Sequence, residues 1–505
     1  MQPFTHSRPL GNLEVFFKKL ADLGVTLERE HWAVHLALSL RVSDTINLSP
    51  YLQRAWQEVR RHYPAIGSII CPAQEVGVEE ECDVLKREIL TLPVCEAALW
   101  SEDTFFVHDN EKNADSLFCC LRPKPTATCH WLPQSSQVVI RSSHWRLDGI
   151  GMAKLGHVFL AKLAEVLRIE PGNVSLGVST TNLPTNQPLP HSIENLARIW
   201  IDKQSAEATT LQDQSSAHTL RLEAGADALV GEFLRGVPSI GLPTRTNSAT
   251  VPPGASQRVE TRLSVSETGE ITEARRAKNL SFTGTVHAAI VRVTARFPQH
   301  SLAESYAAFF PVDLRQSIVS AGAASEDQLM IGLYFSGLPI CVGGVVPGED
   351  GEAKAFEEIA REMTAVYNRD LTAFWKGPDG KQVSLMELAE PYLQRTTVLF
   401  NTPVPDGHPL IQTPDLSGLG KFETYLKRDY QSLSDPLAPK VEVADVWIGT
   451  EMLNRCVQFH VWSWRDELRL GASFNQSFYE KSFVVELLDQ IMEELFRGLE
   501  IRGHH

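Results

Sequence analysis

A chain of 505 residues is longer than one hydrophobic core usually serves, and 43% hydrophobic with 22% charged residues describes a folded protein, not a disordered one. A net charge of −15 excludes the broad basic face with which proteins neutralise nucleic-acid phosphates, while leaving room for a local basic pocket. No run of eighteen apolar residues is present, and MQPFTHSRPLGNLEVFFKKL lacks a continuous apolar signal region, so neither a membrane span nor a secretory leader is expected and the location read from the sequence is cytoplasmic.

In chain order, residues 31–42 read as a largely buried strand. Residues 49–63 read as a helix: Ser49 can cap it, Pro50 suits its first position, Leu52, Ala55, Trp56 and Val59 share a face, and Pro64 stops it. Further strands are expected at 104–109, 126–132 and 137–143, the last two as a hairpin. A helix should run from Gly149 to about Arg168 on Met152, Leu155, Phe159, Leu163 and Leu167. Two stretches rich in Pro, Thr, Asn and Ser then bracket a less regular helical region, so 176–255 reads as a crossover between an N-terminal lobe, 1–175, and a C-terminal lobe, 256–505. In the second half, strands are expected near 257–265, 305–315, 329–340, 441–449, 455–464 and 467–476, the last two turning at Arg465 and Asp466. Helices are expected near 284–297, 353–368 and 478–498. Both lobes are therefore α/β, built on mixed sheets. The terminal His504 and His505 read as remains of a purification tag and are set aside.

The eight cysteines are scattered without a CxxC pair, which fits reduced thiols better than a disulfide framework. The N-x-S/T patterns at Asn47, Asn173, Asn279 and Asn475 carry no weight without a secretory signal. Residues 141–151, RSSHWRLDGIG, raise the sharper question. An apolar strand ends on His144, and Asp148 and Gly149 follow directly before a helix. On a strand, Ile140, Ser142 and His144 share one face, which sets the imidazole at the carboxyl end, where ligands can reach it. Imidazole accepts a proton near neutral pH, so His144 is a candidate general base. The plain alternative is a solvated histidine beside a capping aspartate.

HWRLDG resembles the HxxxDG signature of the acyltransferase superfamily that includes chloramphenicol acetyltransferase, plant BAHD acyltransferases and nonribosomal peptide condensation domains. Residues 52–70, FFPVDLRQSI at 309–318 with IGLYFSG at 331–337, and 468–495 resemble further segments of that family in the right order, with Leu333 where asparagine is usual. SGLGKFETYL at 417–426 is similar to fungal trichothecene 15-O-acetyltransferase-like proteins, and DVWIG at 445–449 keeps only the first and last residues of the BAHD motif DFGWG, which favours the fungal branch.

The resemblance implies two chloramphenicol-acetyltransferase-like lobes with an active-site tunnel between them. It implies an acyl-CoA:alcohol O-acyltransferase, acetylating a small-molecule alcohol of secondary metabolism, with acyl-CoA as co-substrate and no permanent cofactor. His144 would be the base. Asp148 would orient it, as in a triad, or instead hold the loop by pairing with Arg315, the reading favoured here. Gly149 would shape the loop or donate a hydrogen bond. Arg275, Arg276 and Lys278 form a basic cluster that could meet phosphates of coenzyme A, or simply a solvated helix face. Tyr334, Trp462 and Asn475 are tunnel candidates from strand position. A monomer is expected, with no nucleic-acid or membrane partner and no metal. Two rivals stand beside this reading: a condensation-like enzyme fed by a carrier-protein thioester, and a fold that guides cyclisation of a bound metabolite without acyl transfer.

Other patterns fail as motifs. GIGMAKLG at 149–156 has Lys154 where a dinucleotide fingerprint needs its third glycine. His31 and His35 have ligand spacing, but Trp32 replaces the glutamate of HExxH, and both read as core histidines. Neither a GxSxG elbow nor a GxxxxGK[ST] loop is present.

Overall fold

The computed structural model describes residues 4–42, 46–72, 88–93, 97–168, 189–207, 212–347, 351–433, 435 and 437–501. Cys82, Cys95, Asn173, His504 and His505 lie outside these. The chain forms two compact units, and neither is a single stretch of sequence: Ser325–Tyr334 and Phe422–Glu451 join the first unit, Met1–Ser192, while Ile193–Ala324, Phe335–Lys421 and Met452–His505 make the second. The expected contiguous lobes thus exchange two segments.

The first unit is built on a six-stranded sheet in the order Asp429–Tyr430, Val441–Thr450, Val34–Arg41, Gln137–Ser142, Thr128–Leu132, Phe105–Val107. Val34–Arg41 is buried along most of its length and pairs antiparallel on both sides, with Ile448 opposite Leu36 and Ile140 also opposite Leu36. The expected hairpin forms between Thr128–Leu132 and Gln137–Ser142, with Cys129 opposite Ile140. The helices Ser49–His62 and Gly149–Val166 pack together in this unit. Trp56 is fully buried, donates to Thr104 Oγ1 at 3.1 Å and stacks on Trp100. Gly156 lets the second helix press onto the sheet, since a Cβ there would stand 2.5 Å from Leu36 Cδ2.

The second unit holds a four-stranded sheet in the order Asp415–Lys421, Gln458–Trp464, Glu467–Asn475, Ser256–Arg262. The helix Phe282–Ala295 is buried on nearly every side and packs against Phe356–Tyr367 and Lys481–Gly498. The hairpin at Arg465 and Asp466 uses φ of 53° and 64°, the pair of left-handed residues that a two-residue type I′ turn requires. Tyr306–Asp313 pairs antiparallel with Phe335–Val342, so the strand expected from 329 begins six residues later. The region read as a crossover contains two helices, Ile193–Glu207 and Gln212–Leu234. Among the described residues, no helix is long and apolar enough to cross a membrane.

Candidate active site

Four pieces of the first unit surround His144. The strand Gln137–Ser142 ends two residues before it, so the imidazole sits in a turn and not on the strand itself. Arg146 pins that turn: it donates to Ser142 Oγ at 3.1 Å, to the Ser68 carbonyl at 2.8 Å and to the Pro125 carbonyl at 2.7 Å, and its guanidinium lies over Trp145. Asp148 then starts the helix Gly149–Val166 as its N-cap. Its Oδ1 accepts from the Gly151 N–H at 2.7 Å, which satisfies a helix-end donor. Its Oδ2 accepts from the Tyr334 N–H at 2.9 Å, while its own N–H donates to the Gly332 carbonyl. Asp148 therefore ties the segment 325–334 to the helix start. Gly149 is the first helical residue.

The third piece is the loop 29–33. Arg141, buried on the strand, bonds Glu30 at 2.8 Å and lies 3.6 Å from Glu451, which Arg29 also reaches at 3.3 Å. Two cations thus offset two buried carboxylates, the condition under which such charges are tolerated. The Trp32 N–H donates to the Glu451 carbonyl at 2.6 Å, and Trp32 holds a φ of 62°, rare for a bulky side chain. The fourth piece is the helix Asn12–Asp22, whose Phe17 ring lies on the His144 ring at 3.9 Å between centroids and 3° between planes. Trp32 stands 6.5 Å from His144 and 5.6 Å from Phe17.

These surroundings set the protonation of His144. The residue is half-buried, and desolvation pushes its pKa down to about 4. A hydrogen bond to its own backbone and the charges of Asp148 and Glu30 oppose that shift without cancelling it. With its pKa near 4 the imidazole is neutral at neutral pH and can accept a proton. His31 is buried, donates to the Glu451 carbonyl and is likewise pushed down to about 4, chiefly by burial. His35 is buried, and its pKa is driven well below the usual value by burial and then by Arg141. Both are core histidines.

The remaining sequence candidates fall elsewhere. Tyr334 belongs to the first unit; it is buried, and a Cβ on Gly332 would stand 2.6 Å from its ring. Arg315 belongs to the second unit, where it bonds Asp313 at 2.8 Å. Trp462 is buried there. Asn475 spends its amide on structure: it donates to the carbonyls of Gly254 and Met452 and accepts from the N–H groups of Gly254 and Ser477. Lys278 is held by Glu357 and Glu500, both at 2.9 Å, Arg275 donates to the Leu280 carbonyl just past its own helix, and Arg276 is exposed. Among the described residues, no group of three or more His, Cys, Asp or Glu side chains is placed to hold a metal ion. Sequence reading missed Phe17 and Glu30. The only signal for Phe17 was an amphipathic Phe-Phe pair in a stretch weighed as a leader.

The fold is shared with solved structures of a trichothecene acetyltransferase and of a peptide-synthetase condensation domain. The solved structure of TRI3 trichothecene 15-O-acetyltransferase from Fusarium sporotrichioides matches with a TM-score of 0.70 at 14% identity, covering 97% of this chain and 95% of that one. The first condensation domain of the CDA synthetase matches with a TM-score of 0.59 at 13% identity over 99% and 98% of the two chains. Among sequence relatives, the chain is 28% identical over 483 residues to the loline biosynthesis cluster 1 transcription factor lolU1 of Epichloe uncinata, covering 94% of this chain and 91% of the relative. It is 25% identical over 511 residues to the acetyltransferase pigO of Monascus ruber, covering 99% and 98%. No protein-family model matches the chain.

Proposed function

We propose that the protein is an O-acetyltransferase of fungal secondary metabolism, taking the acyl group from acyl-CoA and passing it to a hydroxyl of a small metabolite. The observation that carries this reading is a neutral, half-buried imidazole in the turn between the strand Gln137–Ser142 and the helix Gly149–Val166. The imidazole takes the proton of the acceptor hydroxyl as the hydroxyl oxygen attacks the thioester carbonyl. The new C–O bond forms, the C–S bond breaks, and the imidazolium returns the proton to the departing thiolate. Holding donor and acceptor in line beside the ring supplies much of the acceleration. Two similar proteins carry acetyltransferase names, pigO and the trichothecene enzyme, which supports the acetyl assignment. A DNA-binding role, suggested by the printed name of the Epichloe relative, finds no support in a net charge of −15.

The test is mass spectrometry of the purified protein with acetyl-CoA and a panel of alcohols. Wild type should add an acetyl mass, and H144A should lose turnover by on the order of 10²–10⁴-fold while keeping its fold. Turnover that demands a carrier-protein thioester would replace the donor assignment, and a product of unchanged mass would point to cyclisation. Full activity in H144A would overturn the base.

A further inference from the structure

A histidine ring turns broadly about its outer torsion, because an sp³–sp² bond has two shallow wells and no sharp stagger. A base that must point its accepting nitrogen at one hydroxyl therefore needs two constraints. One must stop the ring from flipping, and the hydrogen bond to the residue's own backbone opposes that. The other must fix the plane. We propose that Phe17 is the positioning residue that fixes it: its ring lies flat on the imidazole at 3.9 Å and 3°, covering one whole face and setting the direction of the accepting nitrogen. This inference rests on His144 being the base.

The platform is itself held. Phe17 is buried and meets Phe16 edge-on at 5.1 Å. Its helix is anchored at the start by Glu14, which accepts from the Gly11 N–H at 2.7 Å and pairs with Arg8 at 2.6 Å. On the other flank, Trp32 leans on Phe17 at 5.6 Å and 48°. Its left-handed backbone, rare for so bulky a side chain, persists only because the surroundings over-determine it. Such strain is spent here on placing an indole beside a base. Covering the ring face also removes water from it, the same burial that keeps the imidazole neutral.

The experiment compares F17L, which keeps apolar volume but not a planar face, with F17Y, which keeps the face, and with H144A. F17L should lower kcat by on the order of 10–100-fold, as small misplacements of a catalytic group do, with KM for donor and acceptor within about twofold. The acid limb of kcat/KM should rise from about 4 towards 6.5, and F17Y should restore both. F17L with wild-type kcat and an unmoved limb overturns the proposal. An inactive H144A beside a fully active F17L removes the Phe17 role alone, whereas a fully active H144A removes the base assignment and this proposal with it. Should F17L fail to fold, NMR of the wild-type protein with ring-labelled histidine decides, H144Q assigning the resonance. A ring lying over a phenyl face must show an upfield ring-current shift, and an unshifted His144 resonance overturns the stack.

Discussion

Replacing Asp148 separates its two readings, because each predicts a different quantity to collapse. The carboxylate caps an 18-residue helix through the Gly151 N–H and holds the Tyr334 N–H, and the residue is only 5% exposed. In D148A the lost cap costs about 0.5–2 kcal/mol. The stranded Tyr334 N–H adds about 1–3 kcal/mol, since a buried donor without an acceptor carries its full desolvation penalty. The expected loss is therefore about 2–5 kcal/mol in the first unit. D148N should lose less, about 1–3 kcal/mol, because the amide oxygen can still accept from Gly151 while its NH₂ meets the Tyr334 N–H donor to donor. Urea unfolding followed by tryptophan fluorescence reads these losses. Kinetics on the folded D148N reads the rest. An aspartate that orients a catalytic imidazole costs on the order of 10⁴ in kcat when made asparagine. A strut costs far less, and because the Asp148 charge raises the His144 pKa, its removal should move the acid limb down, not up. D148A losing under about 1 kcal/mol, with D148N folded but 10⁴-fold slower, would refute the structural assignment.

Three further outcomes follow from the same unit. Activity should hold well below pH 6.5, with the acid limb of kcat/KM near 4, because burial keeps His144 neutral; a limb at 6.5 would mean a solvated ring. Stability runs with the same sign. The folded values of His144 and His31 lie below 6.5, so the unfolded chain takes up protons first, and their stabilising contribution is intact above pH 6.5 and is lost as pH falls from there to about 4. Urea midpoints at pH 7.5 and 5 check this. G332A should destabilise the first unit by about 1–3 kcal/mol, because the added Cβ lands on the Tyr334 ring and loosens the bond from Tyr334 to Asp148; a neutral G332A in the same urea assay would refute that packing.

Local pattern carried far along this chain. The helix at Ser49 was legible because a proline and a 3.6-residue apolar period agree, and it spans Ser49–His62, although Ser49 is its first residue and not its cap: Leu48 stands at the cap position and no side chain caps it. HxxxDG was legible because its residues are adjacent in sequence. Phe17 was not, since 127 positions separate it from His144 and nothing local says which ring its helix covers. The Asp148–Tyr334 bond spans 186 positions and uses a backbone N–H, which leaves no trace in residue type. Nor does any pattern within 441–449 say that this strand pairs with Val34–Arg41 in the first unit.

That pairing has a consequence for how the protein is made. Until the ribosome has delivered residue 450, Val34–Arg41 has no neighbour on one side, and its unpaired rim of backbone donors and acceptors faces whatever is nearby. The first unit can collapse early but cannot close its sheet until about nine-tenths of the polypeptide exists. A nascent or truncated product is thus left with a sticky border, so completion of synthesis is built into the maturation of the site.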